Sequence, residues 1–475
     1  MKKILFALTL VLATISCTDN IEEYNIDPKN PESVDGDYLF SYGQYRLVWQ
    51  FCDANYNNNV GRFWANYATQ TTYINESNYD ASNRDVGGNI WYNIYSTSLY
   101  ELQSAYELIE AEEASSAEEP IKNNKLAVIS ILKVFAYQYL VDNFGDIPYT
   151  EALDIDNITP AYDDDLYVYE QIIQELENAI SLIDTSEDSF GTSDLIYSGD
   201  MTLWKKFAHS LQLKLGTRIS NYDTTTASEL IQAAVSGGVF TSNDDMPLLT
   251  WSGTQPYINP LYDYFYVDAR ASDFVATENF LELLESYSDP RLAVFYDDNI
   301  DSGYVGGVYG ASGNAYSELT HFNPDWTENS IRPSAIMEYA TVCFELAEAV
   351  ERGYISGSAS DYYSAGITAS FEYLGLTATE ATAYIALNPY DSANWDESIG
   401  MQKYIALFHN GHEAWTEARR TGIPELAVAE SSGTENPNRM IYPLDESKIN
   451  GTNYDEASSN MGGDEASSTI FWDVN

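Results

Sequence analysis

Apolar positions recur every three or four residues through much of this chain, the spacing that gathers them on one side of an α-helix. The clearest case is 163–184, where Leu166, Tyr169, Ile173, Leu176, Ile180 and Ile183 follow at steps of three and four. Asp163, Asp164 and Asp165 stand at its start, where carboxylates cap free amides and suit the helix dipole. A second helix is predicted over 202–219, with Leu203, Phe207, Leu211 and Leu215 on one face and Lys205, Lys206, Lys214 and Arg218 opposite. The chain has only 22 basic residues, so four on one helix face predict an acidic partner surface within the fold. From Val128 to Val141 the sequence is almost continuously apolar, which predicts a central buried helix over 122–143, stopped by Gly145 and Pro148. Further helices are expected at 38–71, 89–111, 334–352, 359–374 and 397–419, the last with Ile405, Phe408, His412 and Trp415 on one side.

The period is lost over about 238–330. Gly, Pro, Asn and Asp clusters break up short apolar runs there, predicting an irregular insertion with at most short strands and one helix near 277–287. The tail, 430–475, is also loop-rich. The expected architecture is mostly α, with helix pairs alternating with long connections, and connections of that length usually carry function. No fixed-period repeat appears, so composition alone does not establish a helical solenoid.

The first residues follow a different logic. Lys2 and Lys3 precede an apolar stretch, Ile4 to Ala13, that is too short to span a bilayer and reads as a signal peptide over 1–16. Ala13-Thr14-Ile15-Ser16 leads into Cys17, an arrangement that marks Cys17 for lipidation and anchorage to a membrane. Residues 17–37 read as a polar tether, and 38–475 as one domain.

Charge narrows the choice of partner. There are 73 acidic residues against 22 basic, a net charge of −51, and losing Lys2 and Lys3 with the leader makes it more negative still. Such a surface repels phosphate backbones, which excludes nucleic acid, and it favours neutral ligands over polyanions. With Cys17 lipidated, Cys52 and Cys343 are too few for a disulfide framework and are expected to be buried free thiols.

Catalytic patterns are missing from the sequence. His409, His412 and Glu413 match neither H-E-x-x-H nor its inverse, and there is no nucleophile elbow, dinucleotide fingerprint or phosphate loop. Asp297, Asn299 and Asp301 have calcium-loop spacing, but Ser302 replaces the glycine and Val308 the final glutamate, so a solvated turn is expected and no cofactor, with calcium the one candidate. The positive signal is aromatic. Of 39 Tyr and 9 Trp, many fall in the expected loops: Tyr73 and Tyr79 after the first helix, then Trp251, Tyr257, Tyr262, Tyr264, Tyr266, Tyr304, Tyr309 and Trp326. Flat, electron-rich rings suit the C–H face of a sugar, and Asn75, Asn78 and Asn83 add amides.

Five further segments carry a resemblance: Asn25 to Pro31 (NIDPKNP) behind Cys17, Asp142 to Tyr149 (DNFGDIPY), Trp204 to Leu211 (WKKFAHSL), Trp415 to Leu426 (WTEARRTGIPEL) and Arg439 to Asn450 (RMIYPLDESKIN). In that order they resemble the SusD/RagB-type nutrient-binding outer-membrane lipoproteins. The resemblance implies a scaffold of tetratricopeptide-like helix pairs with an irregular ligand-binding part, lipid-anchored at the cell surface. It implies a lid on a SusC-like, TonB-dependent transporter that captures oligosaccharides, or in some members peptides. It places ligand contacts in the regions of Tyr73, Tyr79, Trp251, Tyr257, Tyr264, Tyr266 and Trp326, and gives Arg419, Arg420, Tyr442 and Pro443 structural roles. A secreted glycoside hydrolase and a purely structural assembly protein are the competing readings.

Overall fold

The computed structural model describes residues 34–301 and 303–474. The leader, Cys17, most of the tether and the Asn25–Pro31 motif lie outside the described residues.

The scaffold is built from helices paired with a neighbour in sequence. α1 (Gly36–Cys52) packs on α2 (Tyr100–Glu110), α3 (Glu119–Phe144) on α4 (Asp165–Leu182), and α5 (Met201–Arg218) on α6 (Thr224–Gly237). After the irregular part, which contains α7 (Glu278–Ser286), α8 (Tyr339–Glu351) packs on α9 (Ala359–Tyr373). α10 (Ala378–Leu387) leans on α9, while α11 (Trp395–Ala406) lies between α8 and α12 (Gly411–Thr421). Short side chains or their absence set some of these distances. A Cβ on Gly43 of α1 would stand 2.9 Å from Leu102 of α2, so the two helices approach through the gap a glycine leaves.

Capping follows the expected chemistry, with one shift of register. Asp164 is the cap of α4 and accepts from the Tyr167 amide, while Asp163 turns away to accept from the Tyr149 and Thr150 amides. α3 is the central helix. It is long and apolar enough to cross a bilayer, but its most apolar window is 94% buried inside the protein, which makes it the core rather than an anchor.

Two of the expected long helices are broken. The span 38–71 ends as helix at Cys52. The Asp53–Asn59 run then spends its side chains on local turns (Asp53 accepts from Asn55 N, Asn55 from Asn57 N), leaving only a short helix, Gly61–Trp64, and a strand. The span 397–419 breaks at Asn410, whose side chain caps α12 by accepting from Glu413 N. The cause is tertiary. A Cβ on Gly61 would lie 2.3 Å from His412 N, and one on Gly411 2.5 Å from Arg62 N, so the short helix and α12 cross backbone against backbone at two glycines. Nearby, Tyr67 donates to Tyr404 O and Tyr404 to Ala65 O, both at 2.5 Å. The span 89–111 is helical from Val86, but winds as a π-helix over Tyr92–Leu99 before α2.

Of the basic residues on α5, Lys214 and Arg218 find acidic partners in the core, while Lys206 pairs with Asp245 nearer the surface. Arg218 contacts Asp142 at 3.2 Å, Glu413 at 2.5 Å, and Glu417. Lys214 reaches Glu413 at 2.7 Å. The network continues through Lys403 to Glu345 and Glu417, and through Arg420 to Glu348 and Glu417. Burial works to raise the Glu348 carboxyl, but Arg420 overcomes it and holds the group at about 2. Glu413 is held at about 2 in the same way by Arg218 and Lys214. Cys52 and Cys343 are free and buried, their thiols pushed up to about 12 by desolvation.

Candidate functional site

The irregular part is tied to the loop after α1 by a small antiparallel ribbon. Strand β1 (Ala68–Gln70) pairs with β3 (Phe274–Ala276), in register Ala68↔Ala276 and Gln70↔Phe274, while β2 (Leu248–Leu249) pairs with β4 (Ser334–Ala335) elsewhere. The first ribbon extends through Thr71, whose amide donates to Asp273 O at 3.0 Å and whose hydroxyl donates to Ser272 O at 2.6 Å. It holds residues 71–85 beside residues 263–273.

Tyr73 leaves this ribbon with its ring 64% exposed and its backbone at φ +54°, in the left-handed region. An aromatic side chain there costs on the order of 1–3 kcal/mol. The loop behind it is over-determined. Gln70 donates to Glu76 at 2.7 Å and accepts from Ser77 N at 2.9 Å, and the Trp64 indole donates to Glu76 O at 3.0 Å. Fully buried Glu76 also pairs with Arg84. Anchored this way, the Arg84 guanidinium lies 5.7 Å from the Tyr73 ring centre and 5.1 Å from that of Tyr56. Arg270 covers the same Tyr56 ring at 6.0 Å, donates to its hydroxyl at 2.6 Å, and pairs with Asp273 at 2.7 Å. Tyr56 in turn donates to Asp273 at 3.0 Å, and desolvation raises its phenol above the usual range. Behind it, Tyr264 meets the Tyr56 ring edge to face, at 5.7 Å and 89°.

The result is a shelf of flat groups: an exposed tyrosine ring and two partly exposed guanidiniums backed by a buried tyrosine. It offers a stacking face and several N–H donors. Its two carboxylates, Glu76 and Asp273, are committed to the arginines behind it. Tyr264 and Tyr266 share a π-helical stretch, Asp263–Val267, which turns Tyr264 inward and leaves Tyr266 exposed, stacked on Tyr262 at 4.9 Å. Single-turn π segments are frequent at functional sites.

The aromatic candidates therefore separate. Tyr73 and Tyr264 come together through Tyr56 and Arg84, and Tyr266 follows on the adjoining turn. Tyr257 is exposed but belongs to another patch, edge-on to Tyr45 at 4.9 Å. The remaining three are structural as placed. Trp326 is 1% exposed among Phe265, Phe322 and Phe408, its indole donating to Phe295 O at 3.0 Å. Trp251 is buried, donating to the Ser334 hydroxyl at 2.9 Å. Tyr79 clamps the tail, donating to Asn436 at 2.5 Å and accepting from Ala429 N at 2.9 Å. Both indoles pack into the interior, where apolar burial gains most, and Trp326 also lines a cleft beside Asn329 and Arg332. Asn75 and Asn78 likewise hold the loop, donating to Asp80 and to Gly310 O. At the calcium-like turn, Asn299 donates to Leu319 O and accepts from His321 N, so its amide is spent on the loop. Tyr56, Arg84 and Arg270 were not expected. The only sequence signal for the arginines is their rarity within the two regions already singled out.

Comparison with known proteins identifies the family and the fold. The SusD-like family described as starch-binding, associating with outer membrane, matches residues 28–443. A chitin-binding protein superposes with a TM-score of 0.80 at 27% identity, over 93% of this chain and 100% of its own. A chitin-binding SusD homolog from Flavobacterium johnsoniae gives 0.79 at 25% identity, over 93% and 98%. A SusD homolog from Bacteroides uniformis gives 0.78 at 25%, over 92% and 99%. No curated protein matches the chain.

Proposed function

Because this chain belongs to the SusD-like family of proteins associated with the outer membrane, we propose that it captures an oligosaccharide on the Tyr73 shelf and hands it uncut to a SusC-like, TonB-dependent transporter. The observation that carries this reading is Tyr73 itself, an exposed aromatic ring held in a left-handed backbone by a buried hydrogen-bonded loop. Strain of this kind persists where the surroundings impose it, and it clusters at ligand sites. Stacking on Tyr73 would orient a sugar ring, and the guanidiniums of Arg84 and Arg270 would donate to its hydroxyl or amide oxygens. With Glu76 and Asp273 both locked in ion pairs, the shelf is suited to holding and not to acid–base cleavage. Relatives named as chitin-binding make N-acetylglucosamine oligomers the first ligands to try.

The test is calorimetric titration with such oligomers and with other neutral oligosaccharides. Tyr73→Ala should weaken the bound glycan at least tenfold, about 1.4 kcal/mol, with no product released by the parent protein. Unchanged affinity would remove Tyr73 from the site; affinity for protein digests alone would assign peptides instead. We further propose lipidation at Cys17, checked by acyl labelling that Cys17→Ala should abolish.

A further inference from the structure

A second cleft, of about 510 Å³, opens between the 323–333 segment and the end of α9. Apolar Val294, Trp326 and Leu374 line its walls with Asn329, Tyr373, exposed Asp325 and Arg332. Arg332 is fixed from behind: its amide donates to Asn329 O at 3.3 Å and its carbonyl accepts from Asn259 at 2.8 Å.

The guanidinium is partly buried and lacks a counter-charge. Arg218, Arg291, Arg420 and Arg439 each rest on a carboxylate. Among the described residues no carboxylate comes within 4.0 Å of Arg332, whose side-chain partner is His409 Nε2 at 3.3 Å. That imidazole is neutral: burial, then Arg332 and Arg62, hold its pKa well below the ordinary histidine value, so its Nε2 accepts a hydrogen bond from Arg332 and offers no charge. Glu338 is the acid that Arg332 feels, but desolvation pushes its carboxyl up to about 8 against the pull of Arg332, leaving it largely protonated at neutral pH. Arg62, next to His409, donates to the backbone carbonyls of Asp53 and His409. In a chain with 73 acidic residues, these two neighbouring guanidiniums have no carboxylate within 4.0 Å among the described residues.

A planar guanidinium in a desolvated cleft gains most from a planar anion that can take two of its N–H groups. We propose that this cleft is a carboxylate-binding subsite in which Arg332 pairs with the acid group of a small ligand, a uronic sugar unit or a free peptide C-terminus. Asp325 disfavours anions of higher charge, and screening over about 8 Å at physiological ionic strength confines the effect of the remaining surface charge. The subsite stands apart from the Tyr73 shelf and does not rest on the reading of that shelf.

The experiment titrates the purified full chain with digalacturonate, with its methyl ester, and with a short peptide bearing either a free or an amidated C-terminus. Digalacturonate or the free-acid peptide should bind, weaken as salt is raised, and lose at least tenfold in affinity with Arg332→Met. The matching ester or amide should not bind to the parent protein, a comparison that holds even where the variant folds poorly. Whichever acid binds identifies the source. Arg332→Met should leave a neutral glycan on the Tyr73 shelf unaffected. Silence from both acids, or equal binding of acid and ester, would overturn the subsite while leaving the shelf untouched.

Discussion

In the core, Arg218 of α5 and Arg420 of α12 are each 1% exposed and reach carboxylates on α3, α8 and α12. Beside Tyr73, Arg84 and Arg270 are 23% and 38% exposed, and each pairs with a single carboxylate within its own loop. The pairing chemistry is the same, and the difference lies in what each guanidinium has left over. In the core the guanidiniums rest on carboxylates inside the network, and the arginines and lysines hold Glu348, Glu413 and Glu417 below the usual carboxylate range. On the shelf one edge holds an acid while the flat face lies on an aromatic ring near solvent. Buried, closed networks hold helices in register; half-open ones present donors.

The largest way to break this comparison is Arg218→Met. It takes from buried Asp142 its ion-pair partner and removes one of the cations on Glu413 and Glu417, and loss of one partner from a buried network costs about 3–5 kcal/mol. Urea unfolding would measure it, and a cost below about 1 kcal/mol would mean that the network is not closed as described.

Next comes pH. The Glu348 carboxyl is depressed in the fold, so its contribution is complete above the unfolded carboxylate value and disappears as pH falls toward about 2. The stability gap between the parent and Glu348→Gln should therefore be widest near neutrality and close by roughly 3 kcal/mol between pH 5 and 2. A gap that stays constant over that range would show that Glu348 is not ionised in the core. The smallest effect sharpens the other side. Tyr73→Gly relieves a left-handed tyrosine and should stabilise the protein by about 1 kcal/mol while glycan affinity falls. A thermal melt showing destabilisation would deny that the shelf stores strain.

Much of the scaffold was legible in the chain. The three-and-four spacing of Leu166 to Ile183 marks α4, and the unbroken run from Val128 to Val141 marks α3, because periodicity reports the buried face directly. The breaks at Cys52 and Asn410 were hidden, because a crossing at Gly61 and Gly411 depends on contacts between distant parts of the chain. The shelf was legible by region and not by residue. Trp251 and Trp326 share a composition with Tyr73, and nothing local distinguishes an indole that faces inward from a phenol that faces out. Arg84 and Arg270 become neighbours only through the β1–β3 ribbon.

That glycine crossing has a kinetic consequence. Its two halves are separated by most of the polypeptide, so the contact pays a long loop-closure entropy and gains nothing until the C-terminal helices exist. The helix pairs α3–α4 and α5–α6 can assemble as the chain appears, each from nearby residues. The segment bearing Tyr73, which follows Gly61 directly, must wait for α12 before its floor is complete. The ligand-facing loop should therefore be among the last parts of the molecule to acquire protection from hydrogen exchange during refolding.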